Sequence, residues 1–256
     1  ILDMGIAGAA IATGLGYSVT AVAGLVIFSK KDCLLHFVKP VCRIRTQISA
    51  TSNGSSEMAA ALVTGIVTMM FNWTMLKYVG ENGVAAITII MYVLMFATSL
   101  YTGYSYGVAP MISFYYGEQN QDKLKKLIRL SMKIIGFIGA ALMVSLAVTE
   151  PLVAIFARPD NPVYGLAVTG NRICSSALVF IGFNVFASGM FTALSNGLVS
   201  AVLAFSRSFV FMVAAMLILP AILGVTGAWL ATPAAEAAAF LLSAVMFIKY
   251  RKKYQY

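Results

Sequence analysis

Apolar residues in this chain are gathered into seven long segments that are separated by polar stretches. Each segment has about 20 residues or more, the length that a helix needs to cross the roughly 30 Å hydrocarbon core of a bilayer. None shows the strict alternation that is typical of membrane β-strands, so we expect helices, which satisfy their own backbone groups in lipid. The segments are residues 6–28, 58–76, 84–110, 130–149, 166–191, 198–223 and 228–248.

The composition agrees with a membrane protein and excludes two other classes. Hydrophobic residues make up 60% of the 256 positions and charged residues only 11%, whereas a soluble domain carries about 25% charged residues. A disordered chain needs the opposite balance of low hydrophobicity and high charge. The predicted fold class is therefore all-α, a polytopic membrane bundle with seven transmembrane helices.

The net charge of +9 is explained by membrane sidedness. If the first helix runs from outside to inside, 15 of the 18 Lys and Arg residues fall on the inner side and only three on the outer side. This distribution follows the positive-inside rule and predicts a multi-pass protein of the cell membrane with a cytoplasmic C-terminus. Nucleic acid is not needed as a partner. Arg207 is counted on the inner side, and we expect its side chain to reach the inner interface.

The sequence lacks the usual signs of metal, cofactor or catalytic chemistry. Cys33, Cys42 and Cys174 share no metal-ligand spacing, and His36 is the only histidine. No phosphate-binding loop, H-E-x-x-H motif or nucleophile elbow occurs. We therefore expect no metal site, no cofactor and no enzyme activity, and no ATP-driven pump within this chain.

The first and last apolar segments resemble each other. GIAGAAIAT at 5–13 aligns with GVTGAWLAT at 224–232, with five identities in nine positions at an offset of 219 residues. At the same offset Lys30 aligns with Lys249. This pattern predicts that 1–37 is the end of one lobe, with its last helix, and that 38–256 is a complete six-helix lobe. The expected whole is then about 438 residues, with parallel repeats as in many transporters.

Five motifs together resemble the multidrug and toxic compound extrusion (MATE) family, and within it the MepA-like branch. They are NGSSE at 53–57, LKYVGENGVAAITIIMYV at 76–93, GVAPMISFYYGEQNQDKLKKLIRLS at 107–131, FNVFASGMFTALSNG at 183–197 and GAWLATPAAE at 227–236. The resemblance implies two six-helix lobes around a central cavity. It also implies antiport of cationic or amphipathic, drug-like compounds against H⁺ or Na⁺ by alternating access.

The resemblance has consequences and departures. One lobe cannot enclose a cavity between two lobes, so we expect this chain alone not to transport and to need the missing N-terminal lobe. Some branches of the family carry a carboxylate in the middle of the seventh helix, where this chain has Thr64. They also carry an Asp in the tenth helix, where this chain has apolar residues such as Ile181. A Na⁺ site of that type in this lobe is therefore not expected.

Two acidic residues are candidates for ion coupling, because carboxylates in or beside membrane helices are costly and usually functional. Glu57 precedes the second segment, where it is either a gate at the inner mouth or a helix N-terminal residue that favours the macrodipole. Glu236 lies about a third of the way into the last segment, after Pro233. At that depth it needs a partner or a proton, and a structural polar contact is the alternative to a coupling role.

Neutral polar residues are the remaining candidates. Asn184 is a coupling candidate because the family motif around it borders the translocation path, although hydrogen bonding between helices is the commoner role for such residues. Organic cations are attracted by aromatic faces, and methionine-rich walls repack easily around varied ligands. The predicted cavity-lining residues are Asn53, Asn72, Tyr101, Tyr104 and Asn196.

Two other function classes remain open. A lipid-linked oligosaccharide flippase shares the superfamily fold, but it should carry several cationic residues in its lumen for the pyrophosphate, and these helix interiors are nearly free of Lys and Arg. A membrane scaffold or an intramembrane enzyme is the third class, and the enzyme is disfavoured by the absence of a paired catalytic set.

Overall fold

The computed structural model describes residues 5–30, 44–147 and 149–254, without the side chains at 5, 6, 9, 45, 46, 48–61 and 144–147. Every regular element in the described part is a helix. The α-helices are α1 Gly5–Phe28, α2 Ile44–Tyr78, α3 Glu81–Gly117, α4 Gln121–Ala147, α5 Thr149–Ala154, α6 Pro162–Cys174, α7 Leu178–Ala193, α8 Gly197–Phe205, α9 Met212–Leu223 and α10 Val225–Tyr254. A 3₁₀ turn, Ser175–Ala177, joins α6 to α7, and a π-helical turn, Ser206–Phe211, joins α8 to α9.

Five stretches of the described chain are long and apolar enough to cross a membrane, so the predicted class of polytopic membrane bundle is confirmed. They are Ala10–Phe28, Glu81–Gly117, Pro162–Ala193, Gly197–Leu223 and Val225–Tyr254. The other two predicted segments lie in α2 and α4, which are also helical. The count of seven transmembrane helices stays a prediction.

Several helices are longer than the apolar segments that predicted them. α3 continues through Pro110 to Gly117, because a proline removes one hydrogen bond without necessarily ending a helix. At 1.5 Å per residue, α3 is about 55 Å long and exceeds the bilayer core. α2 begins at Ile44, so the interpretation of Glu57 as a first-turn residue is wrong. An apolar segment shows only the part of a helix that lies in an apolar environment. The hydrogen-bonded helix itself continues into the polar residues on either side.

The chain divides into two compact units, Ile1–Ser55 and Ser56–Tyr256. The first unit contains α1, whose described apolar side chains are largely exposed, as expected for a helix that faces lipid or another helix bundle. The second unit contains α3 to α10 and the buried core. The proposed lobe boundary near residue 37 stays a prediction.

The core of the second unit has two clusters, and α3 contributes to both. One cluster surrounds Tyr101 and includes side chains of α3, α4, α7, α8 and α10. The other surrounds Trp229 and includes side chains of α2, α3, α6, α9 and α10. Because α3 packs against both α6 and α7, it connects the two core clusters.

Glycines make the closest helix approaches possible. Tyr101 is fully buried, and its hydroxyl donates a hydrogen bond to the carbonyl of Leu178 at 2.9 Å. A Cβ at Gly182 would lie 2.7 Å from Cδ1 of Tyr101 and 2.8 Å from Cγ2 of Ile135. Small residues are favoured at such contacts because they let helix backbones approach.

The turn between α9 and α10 accounts for two glycines of the repeat-like motif at 224–232. Gly224 has a φ of 59°, which favours glycine. A Cβ at Gly227 would lie 2.7 Å from the backbone nitrogen of Pro220. Both glycines are therefore required by local geometry.

We predict that Gly182→Ala destabilises the bundle, because the added methyl group overlaps Tyr101 and Ile135. Overpacking of a filled core typically costs about 1–3 kcal/mol. The measurement is the apparent melting temperature of the purified protein in detergent. Gly103→Ala in α3 is the matched control, because a Cβ there meets nothing within 4 Å, and it should leave the melting temperature unchanged or raise it slightly. Equal melting temperatures for Gly182→Ala and wild type would contradict the packing described here.

Candidate functional site

A buried carboxylate and a buried amide form the centre of the site. Glu236 on α10 is 5% exposed and Asn184 on α7 is 3% exposed. The Nδ2 of Asn184 donates to the Oε2 of Glu236 at 2.8 Å and to the backbone carbonyl of the same residue at 3.0 Å. The Oγ of Ser243 donates to the Oδ1 of Asn184 at 3.1 Å. Since Ser243 is two turns beyond Glu236 on the same face of α10, the amide bridges two turns of that helix.

The local course of α10 is shaped by Pro233. A proline has no N–H, so the carbonyl four residues earlier, that of Trp229, loses its helical donor. The buried thiol of Cys174 donates to this carbonyl, with Sγ 3.2 Å from the oxygen. This contact ties α6 to α10 two turns before Glu236 and explains the burial of a cysteine that the sequence left without a role.

Arg207 faces the carboxylate from the π-helical turn. Its Nε lies 3.6 Å from the Oε1 of Glu236, and the side chains are 22% and 7% exposed. This separation exceeds the roughly 2.7–2.9 Å of a charge-assisted hydrogen bond. The Nη1 of Arg207 is buried without a hydrogen-bond partner among the described residues. The guanidinium is thus attracted to Glu236, but its Nη1 remains available as a hydrogen-bond donor.

Two cavities meet at this cluster. We call the larger one, of about 590 Å³, the amphipathic cavity. Its wall combines methionine, aliphatic and phenylalanine side chains with hydroxyls and one ion pair. It is lined by Val63, Thr64, Val67, Thr68, Phe71, Ile87, Met91, Leu94, Met95, Thr98, Ser99, Thr102, Cys174, Arg207, Ser208, Met212, Thr232 and Glu236.

The smaller one, of about 400 Å³, is called the hydroxyl-lined cavity. It is lined by Thr98, Thr102, Ser105, Tyr106, Ala109, Asn184, Val185, Ser188, Gly189, Thr192, Ala204, Arg207 and Ser208. Both volumes lie in the range of small-molecule sites, roughly 300–1,000 Å³. Thr98, Thr102, Arg207 and Ser208 border both cavities, so a single ligand can contact the two together.

Three of the predicted site residues reach cavities. Glu236 lines the amphipathic cavity and Asn184 the hydroxyl-lined cavity, and the two side chains are in direct contact. Asn72 lines a separate groove of about 560 Å³ beside Met69 and Trp73. Asn53 and Glu57 lie outside the residues whose side chains the structure describes.

Three other predicted cavity-lining residues have local structural roles instead. Tyr101 is enclosed by the core, with its hydroxyl bound to a backbone carbonyl. The hydroxyl of Tyr104 donates to Ser131 at 3.1 Å, which joins α3 to α4. Asn196 caps α8 through its side-chain oxygen, which accepts from the N–H of Val199. Tyr101 and Tyr106 lie on different faces of α3. Tyr101 points into the core, whereas Tyr106 is 73% exposed and lines the hydroxyl-lined cavity.

Arg207 is the residue that sequence reasoning placed wrongly. We expected it to reach the inner interface, but the attraction of Glu236 holds it beside the cavities. The signal was available: a charged residue inside an otherwise apolar membrane segment is a functional candidate by default. The π-helical turn, a feature often found at functional sites, was not readable from the sequence.

Comparisons with known proteins identify a family. The family model described as MatE matches residues 58–218, which is more than half of the chain. The multidrug export protein MepA of Staphylococcus haemolyticus is 25% identical over 97% of this chain. That match covers 54% of the relative, so the chain spans about half the length of the curated protein that it resembles.

Solved structures share the fold. One is an outward-facing multidrug resistance MATE family transporter of the MOP superfamily, with a TM-score of 0.77 and 22% identity. Another is a MATE protein in complex with MaL6, with a TM-score of 0.79 and 21% identity. Each match covers 99% of this chain and 58% of the other chain. At identities of 22% and 21%, this likeness shows that the chain shares the fold of these structures and nothing more.

We predict that Asn184→Ala destabilises the second unit. The substitution leaves the carboxylate of Glu236 and the hydroxyl of Ser243 without the amide between them, and a buried polar group that loses its partner typically costs about 1–3 kcal/mol. The readout is the apparent melting temperature in detergent. Asn72→Ala, at the half-buried asparagine of the separate groove, is the control and should shift it much less. Similar shifts for both variants would show that the amide bridge is not special.

Proposed function

Because this chain belongs to the multidrug and toxic compound extrusion family, whose members are transporters, we propose that it forms part of a secondary active efflux transporter. The substrates are cationic and amphipathic drug-like compounds, which are exchanged for H⁺ or Na⁺ by alternating access. The chain does this together with a second, N-terminal lobe. The second lobe is supported by the length of the relatives: this chain covers only 54% of the MepA protein and 58% of the outward-facing transporter.

One observation carries the proposal: the buried carboxylate of Glu236 opens onto the amphipathic cavity. Asn184 fixes the orientation of the carboxylate. Met91, Met95 and Phe71 line the same cavity, where flexible thioethers and an aromatic face suit organic cations of varied shape. A negative charge beside an adaptable apolar wall is the combination that an amphipathic cation requires.

The coupling follows from competition at this carboxylate. Glu236 can hold a proton or balance the charge of a substrate cation, but it cannot do both at once. A cation arriving from the cytoplasm displaces the proton, and a proton arriving from the outside displaces the cation. This mutual exclusion is the minimal requirement for antiport. Each ligand also has to favour one conformation of the transporter, because a ligand shifts a conformational equilibrium only through its different affinities for the two states.

Arg207 provides the link to conformation. When Glu236 is ionised, the guanidinium is attracted to it across 3.6 Å. When the carboxylate is protonated or bound to a substrate cation, this attraction is lost and Arg207 is free to move with the π-helical turn. That turn lies between α8 and α9, so the charge state of Glu236 biases the position of two membrane helices.

The site supports drug efflux better than lipid flipping. A flippase should present several cations to a pyrophosphate. Among the described residues that line the amphipathic and hydroxyl-lined cavities, Arg207 is the single basic one, and it faces a carboxylate. We propose the orientation that the positive-inside rule favours, with a cytoplasmic C-terminus. Without Arg207, 14 of the other 17 basic residues lie on the proposed inner side.

We predict that Glu236→Gln reduces ethidium efflux by the full-length transporter. Glutamine keeps the size of the side chain and an oxygen for Asn184, but it cannot exchange a proton. Coupling free energies of about 1–3 kcal/mol correspond to roughly 5–150-fold, so efflux should fall at least about fivefold. The measurement is ethidium efflux driven by an imposed proton gradient, with and without Na⁺.

Glu150→Gln is the matched control for this experiment. Glu150 is exposed and pairs with Arg172 at 2.9 Å, away from both cavities, so efflux should match wild type. Efflux by Glu236→Gln at the wild-type rate, under either ion gradient, would remove Glu236 from the mechanism. Efflux by wild type that needs Na⁺ and ignores the proton gradient would assign the coupling ion as Na⁺.

A separate prediction concerns the chain by itself. We expect residues 1–256 expressed alone to give no ethidium efflux, because one lobe presents its cavities without a second wall. The comparison is ethidium efflux from cells that express either this chain or the full-length transporter at equal membrane levels. Robust efflux by the chain alone would contradict the need for a second lobe.

A further inference from the structure

The hydroxyl-lined cavity differs in chemistry from the amphipathic cavity beside it. Its wall carries hydroxyls from α3, α7 and the π-helical turn, the amide of Asn184 and the guanidinium of Arg207, and none of its described lining residues is a carboxylate. Of the lining residues in the described part of the chain, Arg207 alone is charged. A cavity of this composition is rich in hydrogen-bond donors, and once a cation balances Glu236 its guanidinium suits a ligand group that is negatively charged.

Two donors at this cavity are buried without a partner among the described residues. One is the Nη1 of Arg207 and the other is the Oγ of Ser105, a residue that is 4% exposed. Buried polar groups in proteins are almost always hydrogen-bonded, so each exception calls for an explanation. A ligand with acceptor oxygens in this cavity would offer these donors the partners they lack.

Glu236 leaves room for such a ligand. It approaches the guanidinium at Nε, at 3.6 Å, and therefore does not occupy Nη1. A guanidinium presents five donors in a rigid fork and binds carboxylates through paired hydrogen bonds. Arg207 can accordingly face Glu236 on one edge and a ligand carboxylate on another.

We infer that the hydroxyl-lined cavity is a subsite for the carboxylate of a zwitterionic substrate, held by Arg207 and Ser105. This inference rests on the proposed efflux function and names a substrate class within it. Thr98, Thr102 and Ser208 border both cavities, so one molecule spans them with its cationic part near Glu236 and its carboxylate near Arg207. Binding of the carboxylate draws Arg207 away from Glu236 and so strengthens the site for the cation.

Two dyes that differ at one group test this inference. Rhodamine 110 combines a cationic ring system with a free carboxylate, and rhodamine 123 is its methyl ester, which lacks that charge. Binding of each dye to the full-length transporter in lipid nanodiscs is measured by fluorescence polarisation. The quantity of interest is the preference, defined as the Kd of rhodamine 123 divided by the Kd of rhodamine 110.

We expect Arg207→Gln to lower this preference at least about tenfold, the scale of losing hydrogen bonds to a charged group. Ser105→Ala should lower it by a smaller factor. Arg172→Gln, at an exposed arginine outside both cavities, is the control and should leave the preference unchanged. Melting temperatures establish that each variant is folded.

The outcomes separate the inference from the function on which it rests. If rhodamine 123 binds and the preference is the same in wild type, Arg207→Gln and Ser105→Ala, the subsite is refuted while efflux of cations stands. If neither dye binds wild type, the proposed function and the subsite both fail. Should Arg207→Gln not fold, a wild-type preference in Ser105→Ala alone overturns the inference.

Discussion

The site depends on the contact between Glu236 and Asn184. A carboxylate inside a membrane bundle is costly unless its oxygens are hydrogen-bonded and its charge is balanced. Here one oxygen receives the amide of Asn184 and the other faces Arg207. The amide in turn accepts from Ser243. These four side chains come from α7, α10 and the π-helical turn between α8 and α9, so satisfying one buried charge joins these three elements beside both cavities.

The ion pair between Arg207 and Glu236 is longer than a hydrogen bond, and the proposed function depends on this separation. At 3.6 Å the guanidinium and the carboxylate attract each other without a short hydrogen bond. Glu236 therefore has capacity for a proton or a cation, and Arg207 keeps a buried donor free among the described residues. In the proposed mechanism, a change in the charge of Glu236 acts on Arg207 and so on the π-helical turn that carries it.

Sequence reasoning predicted the membrane class, the helical fold and the family. It also singled out Glu236 and Asn184 as separate candidates, since costly polar groups in apolar segments are visible without coordinates, but it did not predict their contact. It predicted that Arg207 reaches the interface, because positive-inside counting treats every cation as a marker of sidedness. It also assigned Tyr101 to a cavity, because composition does not tell which tyrosine of a helix faces the core. Those two outcomes depend on contacts between residues that are distant in sequence: Arg207 meets Glu236 of α10, and Tyr101 packs against α7. Helix ends such as Ile44 and Gly117 were missed because polar turns extend helices beyond their apolar stretches.

The central claim is that a proton and a substrate cation compete for the carboxylate of Glu236. Proton release on substrate binding tests it most directly: ethidium is added to the purified full-length transporter in weakly buffered nanodiscs, and a pH-indicator dye reports the protons set free. The account predicts that wild type releases protons as ethidium binds and that Glu236→Gln binds ethidium without releasing any. Equal proton release by the two proteins, or ethidium binding by wild type with no release at any pH, would contradict it.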